Sequence, residues 1–293
     1  MKRLFAIIIL IVTSFSIISC KSSLERSTTT HKQNTRVTSS CTEYDINGNE
    51  ISKMVYTYDS KGNLINENHY SKDFFIQVAY IYNNKGQLVE KEENTTLGEI
   101  TKTYMSKYEY DINSNLKSQT THNKNGDQVN KITYTYDKLN RIIEIFDEKN
   151  DQITTYIYES DNNYSVITKY KYGDQTIENK SVYTLDINQN IIYHATYASN
   201  SENTIEQETH TEYNEYNQII SSKTYLYGKL INFIEYEYQD LILLRKSMRD
   251  ETGIYQIEEY EYNEFGEITI QTIKTKSNIV LNYFVFEYIE LPK

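Results

Sequence analysis

The chain has 293 residues, a formal charge of −11, 30 Tyr, no Trp, 1 Pro and 2 Cys. An acidic surface repels nucleic acid and anionic lipid headgroups, which excludes both as partners. Two cysteines exclude a disulfide framework, and abundant Tyr, Thr and Ile with Pro confined to position 292 favour an all-β chain whose amide donors are all in use.

In chain order, residues 1–19 read as an export signal: Lys2 and Arg3 precede an apolar run from Leu4 to Val12. Thr13, Ser14 and Ser16 interrupt that run, and a membrane span needs about 20 apolar residues. The stretch Ile17-Ile18-Ser19-Cys20 then resembles the lipobox of bacterial lipoproteins, although that pattern more often has Leu where Ile17 stands. The resemblance implies cleavage before Cys20 and a diacylglyceryl group on its sulfur, making Cys20 the lipidation site and a membrane the first partner. Several acyl chains anchor stably where one binds only marginally. The alternative is an ordinary secretory signal that contains a cysteine.

With Cys20 acylated, Cys41 is the only other thiol, so no internal disulfide forms. Removing Lys2 and Arg3 from the 30 basic residues leaves 28 against 41 acidic, a formal charge of −13. Residues 20–41, rich in Ser and Thr and lacking periodicity, read as a tether. Lys21 is not a residue that retains a lipoprotein at the inner membrane, which points to the outer membrane or cell surface.

Residues 42–293 form the repeat domain. The unit is Tyr-x-Tyr-Asp/Asn-x-x-Gly/Asn-x-Leu/Ile, cleanest at Tyr56-Thr-Tyr58-Asp59-Ser-Lys-Gly62-Asn-Leu64, at Tyr80-Ile-Tyr82-Asn83-Asn-Lys-Gly86-Gln-Leu88 and at Tyr260-Glu-Tyr262-Asn263-Glu-Phe-Gly266-Glu-Ile268. Drifted copies carry Ser114 or Asn140 at the glycine position, and the copy at Tyr183 has Leu185 for its second tyrosine. Copies begin at 56, 80, 108, 134, 156, 183, 211, 236, 260 and 284, a step near 25 residues. Tyr-x-Tyr puts two rings on one face of a strand, and Asp-x-x-Gly turns the chain with a residue of positive φ. Weaker turn signals at Asn123–Gly126, Asp147–Asn150, Gly173-Asp174 and Asp250–Gly253 divide the repeats again. Each repeat is thus a β-hairpin, and ten give about twenty strands. Too many for a flat open sheet, they predict a long coiled or wrapped antiparallel sheet. Its end caps are expected at Tyr44–Gly48 and Tyr283–Glu287.

The pattern Tyr-Asp-x-x-Gly-Asn/Gln-Leu resembles the YD repeats of Rhs and YD-repeat proteins over most of residues 42 to 290. That resemblance implies hairpins winding into spiral sheets. The large members end their shell with a proline-containing motif before a toxin, and this chain has no Pro before position 292, so toxin delivery is not implied.

No nucleophile elbow, zinc-binding His-Glu-x-x-His, Cys pair or phosphate loop occurs, so the chain reads as non-enzymatic and without a cofactor. His31 lies in the tether, and His69, His122, His194 and His210 are scattered over different repeats. The turns starting at Asp45, Asp111 and Asp186 resemble half of a calcium loop but lack its closing Glu. The tyrosine ladders, with Tyr56, Tyr58, Tyr80, Tyr82, Tyr108, Tyr110, Tyr260 and Tyr262, are the candidate ligand contacts; sheet stabilisation is the competing use of the same rings. Two functions follow: an envelope-anchored scaffold contacting an unknown protein or polysaccharide partner, or a glycan-binding surface lipoprotein.

Overall fold

The computed structural model describes residues 36–199, 201 and 203–291. The signal peptide, Cys20 and His31 lie outside the described residues. The chain opens with β1 (Arg36–Asp45), β2 (Glu50–Tyr58), β3 (Leu64–Ser71), β4 (Phe74–Tyr82), β5 (Leu88–Leu97) and β6 (Ile100–Tyr110). It continues with β7 (Leu116–Asn123), β8 (Gln128–Tyr136), β9 (Ile142–Asp147), β10 (Gln152–Tyr158), β11 (Asn163–Tyr172), β12 (Gln175–Leu185) and β13 (Ile191–Tyr197). It ends with β14 (Ile205–Tyr213), β15 (Ile219–Leu226), β16 (Lys229–Gln239), β17 (Ile242–Asp250), β18 (Gly253–Tyr262), β19 (Ile268–Thr275) and β20 (Val280–Glu290).

Every strand pairs antiparallel with the next, and β1 pairs with β20 from Arg36↔Glu290 to Asp45↔Asn282. The sheet therefore closes into a twenty-stranded barrel, which removes every exposed edge. This closure is the form the expected wrapping takes, in place of an open coil. It also corrects the reading of the two ends as caps. Tyr44 stacks on Tyr283 with ring centroids 5.2 Å apart, so the first and last strands cover each other.

A second correction concerns the tether. Residues 36–41, expected in it, instead form the first half of β1, where Ser40, Cys41 and Thr42 are buried. Thr and Val in that stretch suit a strand once β2 and β20 supply partners on both sides.

Each predicted repeat start, from Tyr56 to Phe284, falls on an even-numbered strand. In the turn at Asp59, the carboxylate Oδ1 accepts from the backbone N–H groups of Lys61 (2.8 Å) and Asn63 (2.9 Å), and Gly62 N–H donates to the Asp59 carbonyl at 3.0 Å. The fourth turn residue takes positive φ whether or not it is glycine: Gly62 at 84°, Ser114 at 70°, Asn140 at 60° and Gln189 at 67°. Nine of these meander turns lie on one rim, together with both ends of the closed sheet, Arg36 and Glu290; this is the motif rim. The turns at Asp45 and Asn123 lie on the opposite rim.

The side-chain alternation survives the whole circuit. Tyr56 lies opposite Glu67, Glu67 opposite Val78, and the same face continues through Tyr80, Lys91, Ser106 and Tyr108. It returns through Tyr260, Gln271 and Phe284, with Phe286 opposite Cys41 and Cys41 opposite Met54. All Tyr-x-Tyr pairs thus share one face, the tyrosine face. Twenty strands about 4.8 Å apart, tilted as barrel strands are, make a ring roughly 40 Å across, too wide for side chains to fill. Consistent with that width, only seven apolar residues among those described are buried.

Candidate functional site

Three features of the sheet carry chemistry. The first is a set of latches on the tyrosine face. The second tyrosine of each repeat donates its hydroxyl to the backbone carbonyl at the start of the preceding strand: Tyr82 to Leu64 (2.9 Å), Tyr110 to Leu88 (2.8 Å), Tyr136 to Leu116 (2.9 Å) and Tyr262 to Leu243 (2.6 Å). Tyr58 does the same to Thr38, and Tyr158, Tyr213, Tyr238 and Tyr288 repeat it further round the ring. The Leu or Ile of one repeat is thus the acceptor for the tyrosine of the next, which gives the motif spacing its physical reason. Tyr288 places the last copy at Phe286-Glu-Tyr288, two residues beyond the expected start. At Leu185, which has no hydroxyl, the backbone N–H donates to Asn162 O at 2.8 Å instead.

These bonds bear on the predicted ligand contacts. Tyr58, Tyr82, Tyr110 and Tyr262 have their hydroxyls committed to backbone. Tyr80 donates to Glu67 at 3.1 Å, Tyr56 reaches Met54 Sδ at 3.4 Å, and Tyr260 is buried against Glu258 at 2.6 Å. Tyr108 is half-buried beside Ser106, and burial pushes its hydroxyl above the ordinary tyrosine range. Burial pushes the Tyr262 hydroxyl up to about 12. The structure spreads these eight rings round the barrel and does not gather them into one groove.

The second feature is a buried polar knot at Glu258 on the tyrosine face. Its Oε2 accepts from Tyr260 Oη (2.6 Å), Gln271 Nε2 (3.0 Å) and Lys246 Nζ (3.2 Å), while Gln256 Nε2 lies 3.3 Å from Oε1. A buried carboxylate held by donors from three strands in this way is a structural anchor.

The third feature lies on the opposite face. Tyr193, His210, Lys223, Phe233 and Arg249 stand directly across from one another on β13 to β17. Lys223 and Arg249 sit over the Phe233 ring at 5.0 and 4.2 Å, and Tyr193 meets His210 at 5.0 Å. Tyr225 meets His210 edge-on at 5.8 Å, and Tyr193 donates to Glu208 at 3.1 Å. Two adjoining shallow grooves of about 490 and 420 Å³ share Lys223 and Tyr225. The row spans 57 sequence positions and contains no motif, so only strand register reveals it.

The remaining candidates separate. His69 packs edge-on against Phe74 at 4.9 Å, His194 stacks on Tyr183 at 4.4 Å, and burial lowers the pKa of both. Asp45 and Asp186 turn their carboxylates back onto their own turn amides, at 2.8 and 2.9 Å, and Asp111 binds Asn115 N–H at 2.8 Å. Those oxygens therefore face backbone donors in the positions where a calcium loop would offer them to an ion.

Both faces are polar. The tyrosine face carries Glu67, Lys91, Asp147, Lys246 and Glu258; the opposite face carries Glu109, Glu212, Glu237, Glu261 and Glu287. A barrel that spans a bilayer needs an outward apolar band about 25 Å tall, and among the described residues neither face supplies one.

No family model and no curated protein matches the chain. Among solved structures, the chain is similar to a porin-like protein from Bacteroides uniformis at 8% identity, covering 86% of this chain and 98% of that one with a TM-score of 0.38. A porin-like protein from Bacteroides vulgatus matches at 10% identity, covering 87% and 99%, with a TM-score of 0.24. Scores of this size leave the global arrangement unmatched, so the architecture rests on the strand pairing itself.

Proposed function

We propose that this protein is a non-catalytic bacterial envelope lipoprotein, a barrel held on a membrane by acyl chains at Cys20 and standing in water, which presents its surface to a protein or cell-surface polymer. The observation that carries this reading is the polarity of both faces of a closed sheet. Such a barrel gains nothing from lipid around its wall, so membrane attachment falls to the lipobox Ile17-Ile18-Ser19-Cys20. The structural engagement of Glu258 by Lys246, Tyr260 and Gln271 and the dispersed histidines support a binding module over an enzyme. The hairpin repeats agree with the YD-like motif without requiring the shell of the large Rhs proteins.

The test is mass spectrometry of the mature N-terminal peptide with membrane fractionation of the wild type and Cys20→Ala. A diacylglyceryl mass on Cys20, and loss of the Cys20→Ala chain from the membrane fraction, are the expected results. An unmodified Cys20 in a fully soluble chain contradicts the reading.

A second reading, glycan binding, is favoured by Tyr225 and Phe233, which line one shallow groove together with the hydrogen-bonding groups of Lys223 and Arg249. A polysaccharide screen in which Tyr225→Ala and Phe233→Ala abolish binding supports it, and binding that survives both substitutions removes it.

A further inference from the structure

The larger groove on the face opposite the tyrosines holds positive charge that the fold itself does not use. Lys223, Phe233 and Arg249 stand directly across from one another there on β15, β16 and β17, with Tyr225 beside them. Phe233 lies between two cations, because Lys223 reaches its ring from one neighbouring strand and Arg249 from the other. Most charged groups around the groove have partners. Arg249 Nε meets Glu235 at 3.4 Å, and Lys229 Nζ meets Glu251 at 3.1 Å. Asp250 accepts from the backbone N–H and the hydroxyl of Thr252, at 2.7 and 2.6 Å. Two lysines differ: among the described residues, neither Lys223 nor Lys276 has a carboxylate partner. Lys276 is exposed just after β19, and a Cβ placed on Gly253, at the end of the groove, would lie 3.6 Å from its Nζ.

The groove and its edge thus carry Lys223, Lys229, Arg249 and Lys276 against Glu235, Asp250 and Glu251, an excess of one positive charge. The chain as a whole carries −11, but exposed charges more than about 8 Å apart are largely screened at physiological ionic strength, so the local balance governs a small ligand. The adjoining groove has the opposite balance, with Glu208 and Glu212 beside Lys223. A dense polyanion would overhang onto those carboxylates, whereas a single carboxylate placed at Lys223 meets a cation with three N–H donors to offer. Tyr225 lines both grooves and is half-buried; its apolar ring with a polar tip suits the C–H face of a sugar.

We infer that the larger groove is a subsite for an acidic sugar of the uronic acid type, whose ring lies on Tyr225 and whose carboxylate is bound by Lys223, with Lys276 adding attraction from the Gly253 end. The inference rests on the glycan reading and deepens it: the ligand is a sparsely charged glycan, neither a neutral one nor a dense polyanion.

The test is calorimetric titration of the full chain in detergent with trigalacturonate, maltotriose and triglutamate as probes. Trigalacturonate is expected to saturate one site, to bind at least tenfold more tightly than either other probe, and to weaken as salt is raised. Lys223→Gln and the fully exposed Lys276→Gln should each weaken it, Lys223→Gln by about tenfold, with thermal melts unchanged, and Tyr225→Ala should abolish it. Equal binding of trigalacturonate and maltotriose, lost in Tyr225→Ala and kept in both lysine variants, overturns the acidic sugar and leaves the glycan reading standing. Triglutamate binding as tightly as trigalacturonate reduces the groove to a charge site and overturns sugar recognition. Trigalacturonate binding that survives all three substitutions overturns both the subsite and the glycan reading of this groove, and failure of all three probes to bind overturns the inference.

Discussion

The closure seam and the far wall of this barrel are built from the same strands but held together differently. Around β1, β2 and β18 to β20, the buried residues include Met54, Ile257, Glu258, Tyr260, Gln271 and Phe286. Between β5 and β16 the buried residues are Ser106, Ser118, Ser165, Ala195 and Ser221, all small. The far wall thus relies on the hydrogen-bonded ladder, the tyrosine latches and serine–glutamate pairs such as Ser118 to Glu109 at 3.0 Å and Ser221 to Glu212 at 2.6 Å. Consecutive hairpins need only local pairing. Joining β1 to β20 closes a loop of nearly the whole domain, whose entropic cost must be met by side-chain packing at the seam. Cys41, Met54 and Phe286 pack there with Tyr56 and Phe284, and Arg36 binds Glu267 at 3.0 Å.

The comparison breaks most visibly at Phe286. Phe286→Ala removes a buried ring from the seam cluster and is expected to cost about 3–5 kcal/mol by chemical denaturation. Ile157→Ala, on the exposed far wall, is expected to stay within about 0.5 kcal/mol of wild type. Equal losses at the two sites would show that the seam carries no special load.

Glu258→Ala should rank next, at about 2–3 kcal/mol, because it leaves Lys246, Tyr260 and Gln271 without their shared acceptor. Tyr136→Phe, which deletes one latch on the far wall, should cost about 1 kcal/mol in the same measurement. Hydrogen exchange at the β7–β8 pairing should quicken with it, while exchange at the seam stays unchanged.

The pH limits follow from the direction of each shift. Burial raises Tyr236 and Tyr262 to about 12 and Tyr260 further, so the folded state keeps neutral phenols that the unfolded chain ionises near 10. Their stabilisation is complete below pH 10 and is lost as pH rises through 12, which a series of alkaline thermal melts reads directly. Hydrogen bonds from Asn63 and Asn190 hold Asp59 and Asp186 below the usual carboxylate value. That contribution is present above pH 3.8 and disappears as pH falls through the depressed values. The smallest effect is at Ser114, whose φ of 70° suits glycine better. Ser114→Gly should raise stability by less than about 1 kcal/mol.

Much of the far wall was legible in the sequence, because each hairpin is written locally. The step near 25 residues, the Asp-initiated turns and the positive φ at the glycine position, including the drifted Ser114 and Asn140, all follow from residues within a few positions of one another. The seam was not legible. Nothing near Arg36 or Tyr283 announces that they join, since pairing at a sequence separation of about 250 residues depends on the total twist of twenty strands. The latches were half visible: Tyr-x-Tyr places the rings, but the Leu carbonyl that accepts the second hydroxyl appears only once adjacent repeats are in register. The groove on the opposite face was hidden for the same reason.

Ring closure is the claim on which these differences depend, and a cross-strand disulfide tests it directly. In a chain with Cys20 and Cys41 replaced by Ala, Val37→Cys and Ile289→Cys place two thiols on directly opposed residues of β1 and β20, at a separation that antiparallel partners share with disulfides. Mild oxidation should give a monomer in which peptides from the two ends of the chain are linked. Thiols that stay free, or that link only between molecules, would mean that the sheet is open.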